Sequence, residues 1–449
     1  MSDSKKTRIL ILGGGFAGLH AAIHLDDTLA RDPDIEITLI NRENFFLFTP
    51  MLHEVAASDL DLTNIVNPVR KLLKRVNFFA GDVESIDLKC KDVVVSHGFD
   101  HHHHNLHYDH LVIGLGSITN FYNLPGLAER ALTMKSLGDA IHLRNRLIAL
   151  LEEADTECCA DVRGPLLTLV VAGGGFAGVE TIAGINDFMR EAMRFYSNLR
   201  EDMLRVVLVH PGDVILPELG KKLGLYTQKK LAERGVEIQV NVRVSAVTER
   251  GVELSTGEMI ETRALIWTAG TSPNPVLDTL PCVKERGRLR VNEMLQVPDW
   301  PGVWALGDCA LVPNGNSGKY HPTTAQHALR ESKVLAKNLI AALRNGTMKP
   351  FSFRTIGQLA AIGRRTGVAN IFGINFSGFL AWWLWRTIYL SKLPRFEKKL
   401  RVALDWTLDL LFTKDLVQFQ TFRAPTVSHQ ENGMEQDTLL SPMKVAQVS

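Results

Sequence analysis

The sequence predicts an α/β protein in which two similar β-α-β units are combined, the second inserted into the first. The glycine-rich stretch GGGFAG occurs twice, at residues 13–18 and 173–178. Each copy follows an apolar run rich in β-branched residues and precedes a helical pattern, an alternation typical of a parallel sheet. The chain has 449 residues, more than one hydrophobic core usually covers, so we expect at least two domains.

Charge and cysteine content argue against several functional classes. The chain carries 50 basic and 49 acidic side chains, a formal net charge of +1, so no overall field attracts nucleic acid. Its five cysteines include no C-x-x-C pair, which argues against a zinc site and a secreted disulfide framework. The first residues, MSDSKKTRILIL, lack the apolar region of a signal peptide, so we expect the protein on the cytoplasmic side.

Each glycine-rich stretch has the spacing G-x-G-x-x-G between a strand and a helix. There the first glycine permits a tight turn, the second lets the backbone approach a pyrophosphate, and the third packs helix against strand. The helix N-terminus attracts the anion. An isolated match is as often only a tight turn, but two in matching context predict two bound dinucleotides. The residues assigned to this role are Gly13, Gly15, Phe16, Ala17, Gly18, Gly173, Gly175 and Gly178.

The second strand of each unit lacks the acidic residue that normally binds the adenosine ribose. The first unit has Asn41, whose amide can still hydrogen-bond a ribose, followed by Arg42, and both are assigned to cofactor binding. The second unit has His210, which would not repel a 2′-phosphate as a carboxylate does. NADH and NADPH are therefore both allowed, and capping of the strand edge is an equally good interpretation of His210.

Three more motifs accompany the two fingerprints: LVIGLGS, ALIWTAGT and GVWALGDCA. With them the chain resembles the two-dinucleotide-binding-domain flavoproteins, in which one Rossmann-like domain is inserted into another. The resemblance implies FAD in the first domain and the nicotinamide nucleotide in the inserted one. It also implies that Asp308 contacts the ribityl or pyrophosphate part of the flavin, and it places Gly116 and Gly270 in the cofactor sites.

The electron acceptor is indicated by other stretches. No cysteine precedes Cys90, so the redox cysteine pair of the disulfide reductases is missing. FFLFTPMLHEVA, GGGFAGVE, TTAQHALRES and the C-terminal FSFRTIGQLAAIGRRTGVANIFG resemble type II NADH:quinone oxidoreductases over residues 8–420. This resemblance implies hydride transfer from NADH or NADPH to FAD, then transfer of two electrons to a membrane quinone without proton pumping. The alternatives are a soluble reductase with a protein or other non-quinone acceptor, and a redox-sensing or assembly-factor flavoprotein without turnover. Sulfide oxidation is a weaker alternative, because the five cysteines are not spaced to act at the flavin.

The resemblance assigns catalytic roles to Glu180 and Gln326. Glu180 matches a glutamate near the nicotinamide and the flavin, and the alternative is a first-turn glutamate stabilised by the helix dipole. Ala325 and Gln326 match a quinone-site motif whose second glutamine is Arg330 in this chain. An amide can donate and accept at the flavin edge or at a quinone carbonyl. Thr49 is expected to line the flavin region.

A quinone with an isoprenoid tail requires a surface that faces the membrane, and the C-terminal region offers one. The segment PRFEKKLRVALDWTLDLLF is amphipathic, as in helices that lie on a bilayer. The apolar stripe of this segment consists of Phe396, Leu400, Leu404, Leu408 and Leu411, and its basic residues are Arg395, Lys398, Lys399 and Arg401. The tryptophans predicted at the interface are Trp382, Trp383, Trp385 and Trp406. The alternative is packing against the core or across a homodimer.

The motifs also predict domain boundaries and one exposed hairpin. We expect the FAD-binding domain at 1–125 and 289–350, the NAD(P)H-binding domain at 126–288, the membrane-associating region at 351–422 and a disordered tail at 423–449. The histidine-rich stretch SHGFDHHHHNLHYDH has no cysteine or glutamate partners nearby, so we expect an exposed hairpin and assign no metal.

Overall fold

The computed structural model describes residues 6–315 and 318–419, and the predicted disordered tail lies outside them. The strands are β1 (Thr7–Leu12), β2 (Ile35–Asn41), β3 (Phe45–Leu47), β4 (Val66–Pro68), β5 (Asn77–Ala80), β6 (Asp82–Asp87), β7 (Asp92–His97), β8 (His102–His107), β9 (His110–Ile113), β10 (Ser117–Thr119), β11 (Leu132–Thr133), β12 (Thr168–Ala172), β13 (Arg205–His210), β14 (Val236–Val240), β15 (Val244–Val247), β16 (Gly251–Leu254), β17 (Met259–Glu261), β18 (Ala264–Trp267), β19 (Thr271–Pro273), β20 (Lys284–Glu285), β21 (Arg288–Arg290), β22 (Val303–Ala305), β23 (Ala310–Leu311), β24 (Pro313–Asn314), β25 (Lys319–Tyr320), β26 (Gly357–Ala361), β27 (Gly367–Ile371) and β28 (Ile374–Gly378). The helices are α1 (Phe16–Asp26), α2 (Leu52–Ala56), α3 (Leu127–Arg130), α4 (Leu137–Thr156), α5 (Ala160–Leu166), α6 (Phe176–Ala192), α7 (Lys221–Ala232), α8 (Ala325–Leu343), α9 (Phe379–Lys392) and α10 (Phe396–Leu408).

Two parallel sheets organise the fold. Their strand orders are β22-β9-β1-β2-β5 and β11-β18-β12-β13-β14. Each fingerprint strand lies in the middle of its sheet: β1 pairs with β2 and β9, and β12 pairs with β13 and β18. Strand β22 follows the whole second sheet in sequence and yet pairs with β9 in the first. The second unit is therefore inserted into the first, which confirms the predicted fold class.

The fingerprint turns show why glycine is needed. Gly13 has φ +97° and Gly173 has φ +117°, in the left-handed region that glycine adopts most readily. A Cβ on Gly18 would lie 1.9 Å from the carbonyl oxygen of Gly13, and one on Gly178 would lie 1.7 Å from that of Gly173. A side chain at either position would therefore force α1 or α6 away from its turn.

Small antiparallel sheets flank the two parallel ones. The sheet β6-β7-β8 carries the histidine-rich stretch, and β7 and β8 form the predicted hairpin. His97 and His104 meet across it with 2.6 Å between their Nε2 atoms, so one ring donates a hydrogen bond to the other. No group of three or more candidate metal ligands occurs among the residues described.

The C-terminal region consists of the antiparallel sheet β26-β27-β28 followed by α9 and α10. Within the described ranges, no helix has the length and apolar character needed to cross a bilayer. The prediction that all four tryptophans lie at an interface is wrong for two of them, because Trp385 is fully buried and Trp406 is 6% exposed. Lys398 is also buried and donates to the carbonyl oxygen of Thr63, so it cannot reach a lipid headgroup.

Candidate functional site

A cavity of about 710 Å³ lies where the two parallel units and the C-terminal region meet. Part of its wall comes from residues the sequence had singled out. Others were not foreseen, among them His53, Lys135, Trp267 and Tyr389. Most of the lining is apolar, as in sites that hold aromatic ligands. The predicted residues it brings together are Phe16, Thr49, Glu180, Gly270, Ala325 and Gln326.

The two fingerprint turns have backbone that is open to a ligand. A Cβ built on Gly15 or Gly175 meets no described atom within 4 Å, and the same holds for Gly116. Helices α1 and α6 begin directly after Gly15 and Gly175, so their free N–H groups and positive dipole ends face this space. The residues present therefore fit two dinucleotide pyrophosphates, one at each turn.

Asn41 and His210 occupy equivalent positions in the two units. The Oδ1 atom of Asn41 accepts a hydrogen bond from the backbone N–H of Gly14 at 2.7 Å, and Nδ1 of His210 accepts one from Gly174 at 3.1 Å. Burial lowers the pKa of His210, so its ring is neutral at physiological pH. Each side chain thus holds a fingerprint turn in place. Arg42, which follows Asn41, has a side chain that is 71% exposed.

Asp308 belongs to a polar chain at the edge of the cavity. Ser117 donates its hydroxyl to Oδ2 of Asp308 at 2.7 Å, and Lys135 donates its ammonium group to Ser117 at 2.8 Å. Lys135 also lines the cavity, and sequence analysis missed it because the contact joins residues far apart in sequence. The neighbouring Gly116 has φ +66°.

Gln326 lies at the start of α8 and lines the large cavity. Its Nε2 donates to the carbonyl oxygen of Gly357 at 3.1 Å, which fixes the amide at the cavity wall. Arg330, which replaces the second glutamine, lies one turn further on and donates to the carbonyl oxygen of Gln326 at 2.8 Å. Its guanidinium lies 4.0 Å from the ring centroid of Phe353, so aromatic stacking holds this charge in place.

Glu180 is a buried carboxyl group in the cavity wall. Its Oε1 accepts from the backbone N–H of Ala361 at 3.2 Å and from Nε1 of Trp385 at 3.0 Å. It is the fifth residue of α6, past the first turn, so the dipole-stabilised alternative does not describe it. Burial raises the pKa of Glu180 to about 8. At neutral pH Glu180 therefore holds a proton.

His53 lies next to Glu180 in the wall of the large cavity. Its Nδ1 lies 3.8 Å from Oε2 of Glu180, and burial lowers the pKa of His53 to about 3. The contact therefore joins two neutral groups rather than an ion pair. The ring centroid of Trp385 lies 5.5 Å from that of His53 and 4.8 Å from that of Tyr389. A signal for this cluster was present in the sequence, since LHEVA places two polar residues inside an apolar run.

The sequence and the fold of this chain are matched in known proteins. Residues 7–332 match the model of the pyridine nucleotide-disulphide oxidoreductases, and residues 356–415 match the NDH2 C-terminal domain. The type II NADH:quinone oxidoreductase of Mycobacterium tuberculosis is 31% identical, covering 91% of this chain and 89% of the relative. The demethylphylloquinone reductase of Synechocystis is 32% identical, covering 90% and 96%. The structure of NDH2 from Plasmodium falciparum in complex with NADH shares the fold, with a TM-score of 0.86 and 20% identity over 92% of this chain and 100% of that one.

Fold and site thus define a pyridine-nucleotide flavoprotein of the two-domain class. Within that class, the chain belongs to the type II NADH:quinone oxidoreductase family. The prediction of an oxidoreductase that uses FAD and NADH is confirmed. The alternative of a soluble reductase with a protein acceptor is not supported. Cys309, which follows Asp308, is fully buried, and burial raises the pKa of its thiol to about 11.

Proposed function

We propose that this chain oxidises NADH and reduces a membrane quinone in the large cavity, with FAD bound along the first fingerprint. The observation that carries the proposal is the cavity itself. Its wall combines residues that follow the two fingerprints with residues of the quinone-site motif and of the C-terminal region. The wall also contains the protonated carboxyl group of Glu180. When bound, FAD supplies the two-electron relay between the nucleotide and the quinone.

The nucleotide side is built by the inserted unit. In this proposal Gly173, Gly175 and Gly178 shape the pyrophosphate turn, and His210 holds that turn near the ribose. Trp267 and Gly270 line the cavity beyond it, where the nicotinamide would lie. The apolar wall excludes water from the ring that gives up hydride.

The acceptor side is built by α8 and by the C-terminal region. Gln326, anchored to Gly357, presents its amide to a quinone carbonyl, and Glu180 provides a proton for a quinone oxygen. Ile388 and Tyr389 on α9 continue the same wall, and they suit the apolar part of a quinone. General acid catalysis of this kind typically contributes about 10²–10⁴-fold to a rate.

A membrane surface is the proposed source of the quinone. The predicted stripe on α10 is exposed rather than packed on the core: Phe396 is 80% exposed, Leu400 55% and Leu404 53%. Phe372, in the turn between β27 and β28, is 78% exposed. We propose that these residues enter the cytoplasmic leaflet while Arg401 meets the headgroups, because apolar side chains flanked by basic ones favour anionic bilayers. A homodimer that covers the same face is the competing arrangement.

The domain limits remain part of the proposal. We assign residues 1–125 and 289–350 to FAD, 126–288 to the nucleotide and 351–422 to membrane association. This division assigns Asn41, Arg42 and Asp308 to the FAD-binding domain.

Anaerobic absorbance measurements test the proposed cycle. NADH added to the purified, lipid-supplemented holoenzyme should bleach the flavin absorbance, and a short-chain quinone should restore it. Bleaching without recovery on quinone addition would contradict the assigned acceptor. NADPH in place of NADH measures the nucleotide preference in the same experiment.

A further inference from the structure

A second cavity of about 220 Å³ also has Glu180 in its wall. Its lining is mostly charged, in contrast to the apolar lining of the large one. Among the residues described, His53 and Glu180 are the two that line both cavities. They therefore form a thin polar wall between a charged space and the proposed quinone site.

Glu54 lines this second cavity and has no role in the proposed cycle. It follows His53 on α2, is 5% exposed, and accepts a hydrogen bond from Nε1 of Trp406 through Oε2 at 3.1 Å. Burial raises the pKa of Glu54 to about 8, although the positive charge of Arg386 opposes the shift. A buried carboxyl group that carries a proton near neutral pH is suited to proton transfer.

The chemistry of the reaction requires a proton from solution. NADH loses one C–H bond as hydride, which carries two electrons and one hydrogen nucleus. A quinol contains two new O–H bonds, so each turnover takes up one proton: NADH + H⁺ + quinone → NAD⁺ + quinol. Glu180 can give this proton to the quinone, but its carboxylate must then be protonated again before the next turnover. The source must reach Glu180 without crossing the apolar cavity that the substrates occupy.

We propose that the charged cavity is the proton inlet for quinone reduction and that Glu54 passes the proton on to Glu180, an inference that rests on the proposed function. The cavity volume is enough for several water molecules, because a water needs only about 10–15 Å³ of such space. Charged side chains supply the several polar partners that an ordered water requires. Glu180 receives its proton from the charged cavity and delivers it to the quinone in the large cavity.

The surroundings of Glu54 allow its carboxyl group to lose and regain a proton. Arg386 reaches it from α9, and the acidic groups that face it are Asp59, after α2, and Asp409, after α10. Glu180 on α6 also interacts with it, since a negative charge on Glu54 raises the pKa of Glu180, and both residues line the second cavity. Arg386 is held in place, since its guanidinium stacks at 4.2 Å from Trp382 and 4.6 Å from Trp406. This fixed positive charge stabilises a briefly ionised Glu54, and the negative neighbours favour rapid reprotonation.

The test uses Glu54→Gln, which keeps the size of the side chain and an oxygen for Trp406 but cannot carry the proton. Two acceptors are compared in the purified holoenzyme: a short-chain quinone, which must be protonated, and ferricyanide, which takes electrons alone. We expect quinone reduction to fall about 10–100-fold while NADH-dependent bleaching of the flavin and ferricyanide reduction are unchanged. Glu152→Gln is the matched control, because Glu152 accepts a hydrogen bond from Tyr196 on the surface and lines neither cavity.

Rescue separates proton transfer from packing. Glu54→Asp restores a carboxyl group and should recover most of the quinone rate, and a small weak acid such as acetic acid should partly restore Glu54→Gln. An equal loss with both acceptors, or a Glu54→Asp protein as slow as Glu54→Gln, would overturn the proposal. So would full quinone activity in Glu54→Gln. A wild-type protein that reduces ferricyanide and no quinone would instead overturn the proposed function.

Discussion

Trp385 on α9 donates a hydrogen bond from its indole nitrogen to Oε1 of Glu180 on α6, at 3.0 Å. Both side chains are buried, and the bond joins the C-terminal region to the helix that follows the second fingerprint. The region proposed to lie on the membrane therefore also supports the acid in the cavity wall. Its buried face contributes to the wall of the large cavity, whereas its exposed face is the one proposed to contact lipid.

Replacing Trp385 by Phe should lower the free energy of unfolding by about 2–3 kcal/mol. The change removes a hydrogen bond to a buried carboxyl group and leaves a small void in the core. Denaturant unfolding of the holoenzyme measures this loss. Trp383→Phe is the matched control on the same helix, since Trp383 is 51% exposed, and its effect should stay within about 0.5 kcal/mol. Equal losses in the two variants would contradict the buried position of Trp385.

Quinone reduction should decline as the pH rises through about 8. Burial raises the pKa of Glu180 to about 8, so the carboxyl group is protonated below that pH and ionised above it. A proton donor is active in its protonated form, which places full activity on the acidic side and the loss on the alkaline side. Glu180→Gln should slow quinone reduction by about 100-fold and abolish this alkaline decline. Steady-state rates from pH 6 to about 9.5 with a short-chain quinone provide the measurement, and a decline that survives in Glu180→Gln would assign it to another group.

Gln326→Ala should slow the reoxidation of the flavin by quinone more than its reduction by NADH. The amide is fixed by its bond to Gly357, on the side of the cavity that is proposed to bind the acceptor, so the nucleotide half of the reaction should not depend on it. Loss of one such hydrogen bond corresponds to roughly a tenfold effect, about 1.4 kcal/mol. Stopped-flow absorbance resolves the two half-reactions, with the surface variant Gln239→Ala as control. Equal slowing of both would remove Gln326 from the acceptor side.

The parts of the structure that sequence patterns predicted are those set by local rules. The turn at Gly13 and its copy at Gly173 need glycine because of their positive φ, and Gly18 and Gly178 are required by contact with a carbonyl oxygen five residues earlier. The motif therefore appears directly in the sequence. The surroundings of Glu180 depend on His53 and Trp385, which are more than a hundred residues away in the chain. No local pattern specifies such contacts. The apolar stretch around Trp385 is also ambiguous, because a helix with apolar residues on two faces does not reveal which face enters the core.

His210→Glu should increase the preference for NADH over NADPH by at least about tenfold. A carboxylate can still accept the hydrogen bond from Gly174 that His210 accepts now, so the turn should persist. Its negative charge would repel the 2′-phosphate of NADPH, whereas the neutral His210 does not, and tenfold corresponds to about 1.4 kcal/mol. The measurement is kcat/KM for both nucleotides, and the control is His142→Glu, an exposed position on α4. Unchanged discrimination would place His210 away from the ribose.

Substituting Leu400 and Leu404 by Glu should release the protein from anionic phospholipid vesicles. These side chains are 55% and 53% exposed, so the double variant disturbs little of the core. Each leucine that enters a bilayer contributes about 1–2 kcal/mol, and the pair should weaken binding at least tenfold in cosedimentation. Leu225→Glu is the control, an exposed leucine on α7 outside the C-terminal region. FAD content and ferricyanide reduction should be unchanged in both proteins, because neither α10 leucine lines the large cavity. If the double variant instead converts a dimer to a monomer without affecting vesicle binding, this face contacts a second copy of the chain.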